Sequence, residues 1–257
     1  MHDSHVAVLS SGSCGNSTLI SSGETTLLID AGISCRELER RLALFGADPS
    51  DIDAVLLTHE HTDHNRGALR FCRVHDVTLY GTKGTLALTP HDGVPSTAIS
   101  CKTAFGIGDI TVQPFPVKHL AADPVAFSMM FRGVKVSVAS DLGSTTERVR
   151  KEMKDSNLLM IEANYDEDML VNGTYPGFLK RAILSDRGHL SNEEAGDLCA
   201  GAVCESLRDI VLLHLSRENN RAHMAREAVI ERIENAAPRV RVTPTEHGSH
   251  NGPFRLG

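Results

Sequence analysis

No tryptophan occurs in this chain of 257 residues, and only three tyrosines and eight phenylalanines do. A protein that grips long single strands by stacking base after base on aromatic rings needs more, so that mode of binding alone is disfavoured. No apolar run approaches the ~20 residues that a membrane-spanning helix requires. Met1-His-Asp-Ser-His5 offers no basic segment of the kind that opens a signal peptide, so neither a leader nor a membrane anchor is expected, and the cytoplasm is the expected compartment. Cysteine is present without pattern: Cys14, Cys35, Cys72, Cys101, Cys199 and Cys204 form no CxxC pair. A disulfide framework is therefore not expected, and Cys199 and Cys204, five apart, are expected on one helix with a core role. Positive charge is in deficit, with 26 Lys and Arg against 33 Asp and Glu and a net charge of −7. That excludes a protein that coats nucleic acid by neutralising many phosphates. No Pro/Ser-rich linker, charge block or low-complexity tract divides the chain, and 1–257 reads as a single domain.

What the chain does have is a dense cluster of donors. Ala54 to Leu57 is an apolar run of strand character that empties into His59-Glu-His61-Thr-Asp63-His64, four potential ligands in six residues. On extended backbone the alternating His59, His61 and Asp63 project to one side, while His64 can turn toward a neighbouring centre. That geometry suits two metals rather than one. Imidazoles clustered after a buried strand serve no packing purpose, which makes a histidine-rich surface loop the weaker reading. Imidazole and carboxylate donors without thiolate suit zinc or manganese. Two divalent cations would bring four positive charges to one place, so the global charge does not exclude local binding of phosphate.

Strands are expected over 6–9, 18–20, 25–29, 54–57, 77–80, 109–117, 125–131, 134–139, 158–161, 209–213 and 240–243. Helices are expected after the capping box at Ser34, over 65–75, 83–88, 145–154 and 177–184, after a second capping box at Ser191, and over 218–235. Five further strands run into chemistry: 25–29 into Asp30-Ala-Gly32, 109–117 into Lys118-His119, 134–139 into Ser140-Asp141-Leu-Gly143, 158–161 into Glu162-Ala-Asn164, and 209–213 into His214. The small-residue loop from Ser10 to Ser17 would present N–H groups to an anion, an ordinary β-turn being the plain alternative. Asp30-x-Gly32 with a later Val-Leu-Leu before His59 is echoed by Asp141-x-Gly143 with a later Val-Leu-Leu before His214. The echo fits two similar β/α halves packed face to face, with strand ends delivering ligands to one rim. Singly, His119, Asp141 and His214 each have a plain structural reading; in company with the first motif they read as one site.

His59-x-His61-x-Asp63-His64, followed by His119, Asp141 and His214 in that order after strands, resembles the motif series of the metallo-β-lactamase fold over nearly the whole chain. The resemblance implies an α/β architecture, a four-layer αββα sandwich. It implies that one metal takes His59, His61 and His119, that a second takes Asp63, His64 and His214, and that Asp141 bridges them. Asp30 matches an early aspartate that supports the site. A redox di-iron member of the fold would carry Glu at position 61, so the histidine there favours hydrolysis. Ser11 to Ser17, Pro114 to Val117, Ser140 to Gly143, Ile183 to Asn192 and His214 to Asn220 are similar to the WalJ/YycJ-like exonuclease branch. Glu162-Ala-Asn164 and His189-Leu-Ser191 also resemble motifs of ribonuclease Z in which the two side chains pair. The inserted clamp of the β-CASP nucleases and the protruding arm of ribonuclease Z have no counterpart in this sequence.

The expected activity is phosphodiester hydrolysis by an exonuclease, with DNA favoured over RNA as the resemblance implies. Two metals about 3.5 to 4 Å apart would share a hydroxide. Asp63 and Asp141 would orient it, and His189, held by Glu162, would stabilise the non-bridging oxygens or protonate the leaving oxygen. Ser13, Asn16 and Ser17 are expected to meet substrate at the rim. Arg187 and Arg217, with Arg181 and Arg221, would meet phosphates, at least two of the four being solvated helix surface instead. The alternative is a hydrolase of small-molecule esters, thioesters or cyclic phosphodiesters, which the lack of a clamp supports. A non-catalytic metal-binding or docking protein is a third possibility. None of these features encodes the oligomeric state.

Overall fold

The computed structural model describes residues 4–256. The leaderless reading of Met1 to His5 therefore lies partly outside the described residues. The strands are β1 (His5–Ser10), β2 (Ser17–Ser21), β3 (Thr26–Ile29), β4 (Ala54–Leu56), β5 (Thr78–Thr82), β6 (Ser96–Ile99), β7 (Phe105–Ile107), β8 (Ile110–Pro116), β9 (Val125–Phe131), β10 (Val134–Ala139), β11 (Leu158–Glu162), β12 (Asp209–Leu213), β13 (Arg241–Pro244) and β14 (Asn251–Arg255). The helices are α1 (Cys35–Leu44), α2 (Thr62–Asn65), α3 (Ala68–His75), α4 (Lys83–Leu88), α5 (Glu147–Met153), α6 (Glu167–Asn172), α7 (Gly177–Ile183), α8 (Asn192–Ala202) and α9 (Ala222–Ile233). Two seven-stranded sheets form, in the orders β14-β1-β2-β3-β4-β5-β6 and β13-β12-β11-β10-β9-β8-β7.

Alternation along the strands builds the layers. Ala54 and Leu56 of β4 and Val211 and Leu213 of β12 point into one shared core between the sheets. Val55 faces the helices outside the first sheet, where Leu38, Leu42 and Phe71 pack. Ile210 and Leu212 face those outside the second, with Val149, Leu198 and Val229. Strands buried on both faces read as continuous apolar runs, and four layers, αββα, follow from that. All six cysteines are free.

Each sheet makes three antiparallel pairings and then three parallel ones. In the first sheet the antiparallel part runs from β14 to β3 and the parallel part from β3 to β6. In the second the antiparallel part runs from β7 to β10 and the parallel part from β10 to β13. The two similar halves are real, and Asp30 and Asp141 follow equivalent strands, β3 and β10. The rest of the sequence echo is misaligned. His59 follows β4, whose equivalent β11 ends at Glu162, whereas His214 follows β12, the equivalent of β5. Val-Leu-Leu marks any strand buried on both faces, so it does not identify which strand.

Other differences are local. The helix expected over 65–75 is two, α2 and α3, parted at Gly67, whose N–H donates to Ala31 O at 2.7 Å. The helix expected from 218 starts at Ala222, because the chain before it is spent on loop hydrogen bonds made by Asn219 and Asn220. β6, β7 and β14 and helix α6 are too short or too polar to announce themselves.

Candidate metal centre

β4 stops at Leu56, and the donors that follow do not continue as an alternating strand. His61 is the N-cap of α2 at φ −63 and ψ 147, and Asp63 and His64 ride on that single helical turn. The turn, rather than strand alternation, separates the donors into two sets. His59, His61 and His119 form one group, Asp63, His64 and His214 another, with the ligand atoms of each group within 4.8 Å of one another. Asp141 stands between them, grouping with His59 and His64 on one side and with His189 and His214 on the other. Its carboxylate lies 3.1 Å from His64 Nε2, 3.7 Å from His119 Nε2 and 3.9 Å from His214 Nδ1.

These side chains arrive from the carboxyl ends of strands at one rim, parallel strands for all but His119, which follows the antiparallel β8. Asp30, Asp141 and His214 sit directly at such ends with φ of 60°, 56° and 55°. A left-handed residue turns the chain sharply out of the sheet, a conformation non-glycine residues hold only where the surroundings enforce it. Both Asp-x-Gly steps then pass close to other backbone. A Cβ on Gly32 would lie 1.7 Å from Asp63 O, and one on Gly143 would lie 2.3 Å from Arg187 Cα.

Most of the imidazoles have their far nitrogen tied down, which fixes the one facing the cluster. His64 Nδ1 donates to Asp30 Oδ2 at 2.7 Å. His61 Nε2 donates to Leu120 O at 3.1 Å, and His119 Nδ1 to Gly188 O at 3.3 Å. Thr58 donates its hydroxyl to Asp30 Oδ2 at 2.9 Å and so accepts from His59 Nδ1 at 3.0 Å. Asn164 donates to His214 O at 2.7 Å and is held in a buried amide network with Asn220 and Asn192. Thr58, Leu120 and Gly188 were not legible as site residues, since backbone carbonyls and a threonine beside a histidine carry no pattern of their own. Asn164, Asn192 and Asn220 stand within stretches singled out by resemblance, but their amide network was not anticipated.

Electrostatics follow from four buried or half-buried carboxylates, Asp30, Asp63, Asp141 and Glu162. Burial holds His59 well below its ordinary pKa and lowers His119, leaving both neutral with a lone pair to give. At His64 burial is outweighed by Asp141 and Asp30, and its pKa rises to about 10. At His214 burial is likewise outweighed by Asp141, Asp63 and Glu162, which raise it well above the usual range. Asp141 is held well below the carboxylate range, burial being overcome by His214, His64 and His59. Asp141 Oδ2 and His214 Nε2 are buried and make no hydrogen bond of normal geometry, although Asp141 Oδ2 lies 3.1 Å from His64 Nε2. Unsatisfied buried polar atoms beside the neutral rings of His59 and His119 and an ionised Asp141 fit divalent cations, and this set could hold them.

Glu162, fully buried, accepts from His189 Nδ1 at 2.6 Å and from the Leu142 N–H at 2.6 Å. It thus joins the turn after Asp141 to a titratable imidazole beside the cluster. The His189 ring stacks on His214 at 5.2 Å. Burial lowers the His189 pKa and Glu162 raises it, the net direction being up.

The residues expected to meet substrate divide. Ser13 and Arg187 line the cavity of about 280 Å³ that opens over His61, Asp63, His119, Asp141, His189 and His214. Asn16 and Ser17 lie beneath the centre instead. Asn16 Nδ2 is 3.0 Å from His64 Nε2 and 3.4 Å from Asp63 Oδ2, and Ser17 Oγ donates to Asp30 O at 2.8 Å. Small polar residues in a loop look alike from sequence whether they face solvent or the underside of a site. Arg217 and Arg221 line a neighbouring cavity of about 480 Å³ with His247 and Glu246. Arg181 is exposed on α7.

Residues 25–215 match the Beta-lactamase superfamily domain. The chain is 34% identical over 235 residues to exodeoxyribonuclease YycJ of Bacillus anthracis, covering 90% of this chain and 89% of that protein. It is 32% identical over 237 residues to exodeoxyribonuclease WalJ of Streptococcus pneumoniae, with 90% and 88% covered. The metallo-β-lactamase fold protein YhfI from Bacillus subtilis superposes with a TM-score of 0.72 at 19% identity, over 97% of this chain and 99% of the other. The donor cluster thus stands at the rim of a fold and within a sequence neighbourhood that agree, and the chain belongs to the metallo-β-lactamase-fold hydrolases of the β-lactamase superfamily.

Proposed function

We propose that this protein is a dinuclear-metal phosphodiester hydrolase, an exonuclease that acts on DNA in preference to RNA. The observation that carries the reading is the convergence of two three-donor groups on Asp141, with the Glu162–His189 pair alongside. His59, His61 and His119 would hold one cation, Asp63, His64 and His214 the other, and Asp141 both; zinc and manganese each suit the donors. Bound there, the cations would lower the pKa of water and neutralise charge on the phosphate. His189 faces the same cavity as the donors with Nδ1 fixed on Glu162, so its Nε2 is free to give a proton or a hydrogen bond to a phosphate oxygen. Glu162 keeps the imidazole oriented and favours its charged form. Ser13 and Arg187 at the mouth would steady the phosphodiester. The choice of DNA rests on the exodeoxyribonuclease names of the two relatives.

A second reading, hydrolysis of a small ester, thioester or cyclic phosphodiester, is favoured by the modest size of the cavity over the donors. One experiment separates the two. Purified protein with Zn²⁺ or Mn²⁺ is given 5′- and 3′-labelled DNA and RNA, beside bis-p-nitrophenyl phosphate and a thioester. Stepwise loss from one end, absent in Asp141→Ala, supports the exonuclease. Cleavage of the small substrates with intact polymers supports the alternative. No helix among the described residues is long and apolar enough to cross a membrane.

A further inference from the structure

Of the eleven aromatic rings of Phe and Tyr in this chain, ten are buried or half-buried and one, Phe178, is exposed. It leaves 68% of its surface to solvent, more than any other large apolar side chain among the described residues. Its position is specific. Phe178 lies on α7, of which Leu179, Ala182 and Ile183 line the cavity over the donor cluster. Ala182 is four residues further along, on the same helix face, so Phe178 stands one turn or ~6 Å up that face from the mouth. The packing of α7 does not need it, because Leu179 and Ile183 fill the small core made with Tyr165 and Leu170.

Its company is selective. Leu120, 55% exposed, lines the same mouth and its carbonyl holds His61. Leu184, at the end of α7, is 44% exposed. Arg181 and Arg187 are exposed on the same stretch, and neither has an ion pair to a carboxylate among the described residues. An apolar rim edged by unpaired guanidinium groups beside a phosphate-cleaving centre matches a ligand with flat apolar faces joined to phosphates.

We propose that Phe178 is the stacking platform for the terminal nucleobase of the strand being cut, making α7 a base-binding rim of the site. The inference rests on the nuclease reading above. It resolves the scarcity of aromatics: an enzyme that removes nucleotides from an end has to hold one base firmly, and one ring serves.

The test pairs a change in the protein with a change in the substrate. Metal-loaded wild type, Phe178→Ala and Phe178→Tyr are assayed on a DNA strand with an ordinary terminal nucleotide and on one whose terminal nucleotide is abasic. Phe178→Ala is expected to raise KM roughly tenfold on the ordinary strand and to leave the abasic one unchanged, with metal content as in wild type. Phe178→Tyr keeps the ring and restores wild-type KM. Equal losses on both strands, or none on either, would overturn the assignment. So would a change in sedimentation on Phe178→Ala, which would make this face a contact between two copies of the chain. A wild-type protein that cuts no strand removes the nuclease reading, and this inference with it, before any variant is made.

Discussion

Asp30 and Asp141 meet at opposite nitrogens of one imidazole, His64, whose Nδ1 lies 2.7 Å from Asp30 and whose Nε2 lies 3.1 Å from Asp141. The two aspartates close equivalent strands in the two halves of the molecule, both in the left-handed region. The two aspartates differ in duty: Asp141 faces the donor cluster, and Asp30 sits behind it, fixing the His64 ring and Thr58.

Asp30→Asn tests that division. The amide can present its oxygen or its NH₂ to His64, but it cannot fix the tautomer with a full negative charge. Metal affinity is expected to fall roughly 10- to 100-fold, as for other outer partners of histidine ligands, while the fold is retained. Metal content after dialysis against a graded chelator reads this directly. Unchanged retention would show that Asp30 does no more than hold Thr58.

The Glu162–His189 pair predicts a different pattern. His189→Ala should leave metal content as in the wild type and lower kcat by roughly 10²- to 10⁴-fold. Glu162→Gln should lower kcat less, and the double variant should be no slower than His189→Ala, because the two side chains act as one unit. Kinetics with parallel metal analysis decide it, and additive losses would separate the pair.

Much of this centre was legible in the sequence because four donors crowd into His59 to His64 after a buried strand, and because His119, Asp141 and His214 then complete a motif series that resembles a known family. His59, His61, Asp63, His64, His119, Asp141 and His214 could be named without coordinates, and the structure draws them together. What eluded the sequence is direction. The extended arrangement inferred for His59, His61 and Asp63 gives way to a helical turn, since a histidine pattern of that kind does not report backbone angle. Asn16 and Ser17 passed for rim residues because burial of a polar loop depends on what packs over it. In the fold, long apolar strands were located to within a residue or two, whereas exposed β6 and the proline-containing β14 depend on pairing with neighbours rather than on their own pattern.

Gly143 connects the two halves of the chemistry. A methyl group there meets the Arg187 backbone at 2.3 to 2.5 Å, and backbone cannot step aside as a side chain can. Gly143→Ala is therefore expected to displace the 186–189 loop and with it His189 and the Gly188 carbonyl that holds His119. Loss of activity should exceed loss of stability: roughly 100-fold in kcat, against about 1–3 kcal/mol in unfolding free energy, the usual cost of overpacking. Denaturant titration beside kinetics checks the ratio. A variant as active as wild type would mean that the loop moves freely without consequence.

Cation binding has to compete with protons. His64 is raised to about 10 and His214 also upward, chiefly because Asp141 outweighs the opposing effect of burial, so near neutrality both are charged when no cation is bound. The sign follows: a raised pKa stabilises the protonated, metal-free fold below the unfolded value near 6.5, and that stability is lost only as pH rises through about 10. A cation requires the neutral ring, so it must expel these protons and gains as pH rises. For each proton displaced, the logarithm of apparent affinity should climb by nearly 1 per pH unit, and by about 2 where both rings must lose one. Between pH 6 and 8 metal binding should therefore tighten steeply, and calorimetry in two buffers of different ionisation enthalpy should show net proton release. An affinity flat across that interval would mean that His64 and His214 are already neutral, and that the carboxylates around them balance their charge in some other way.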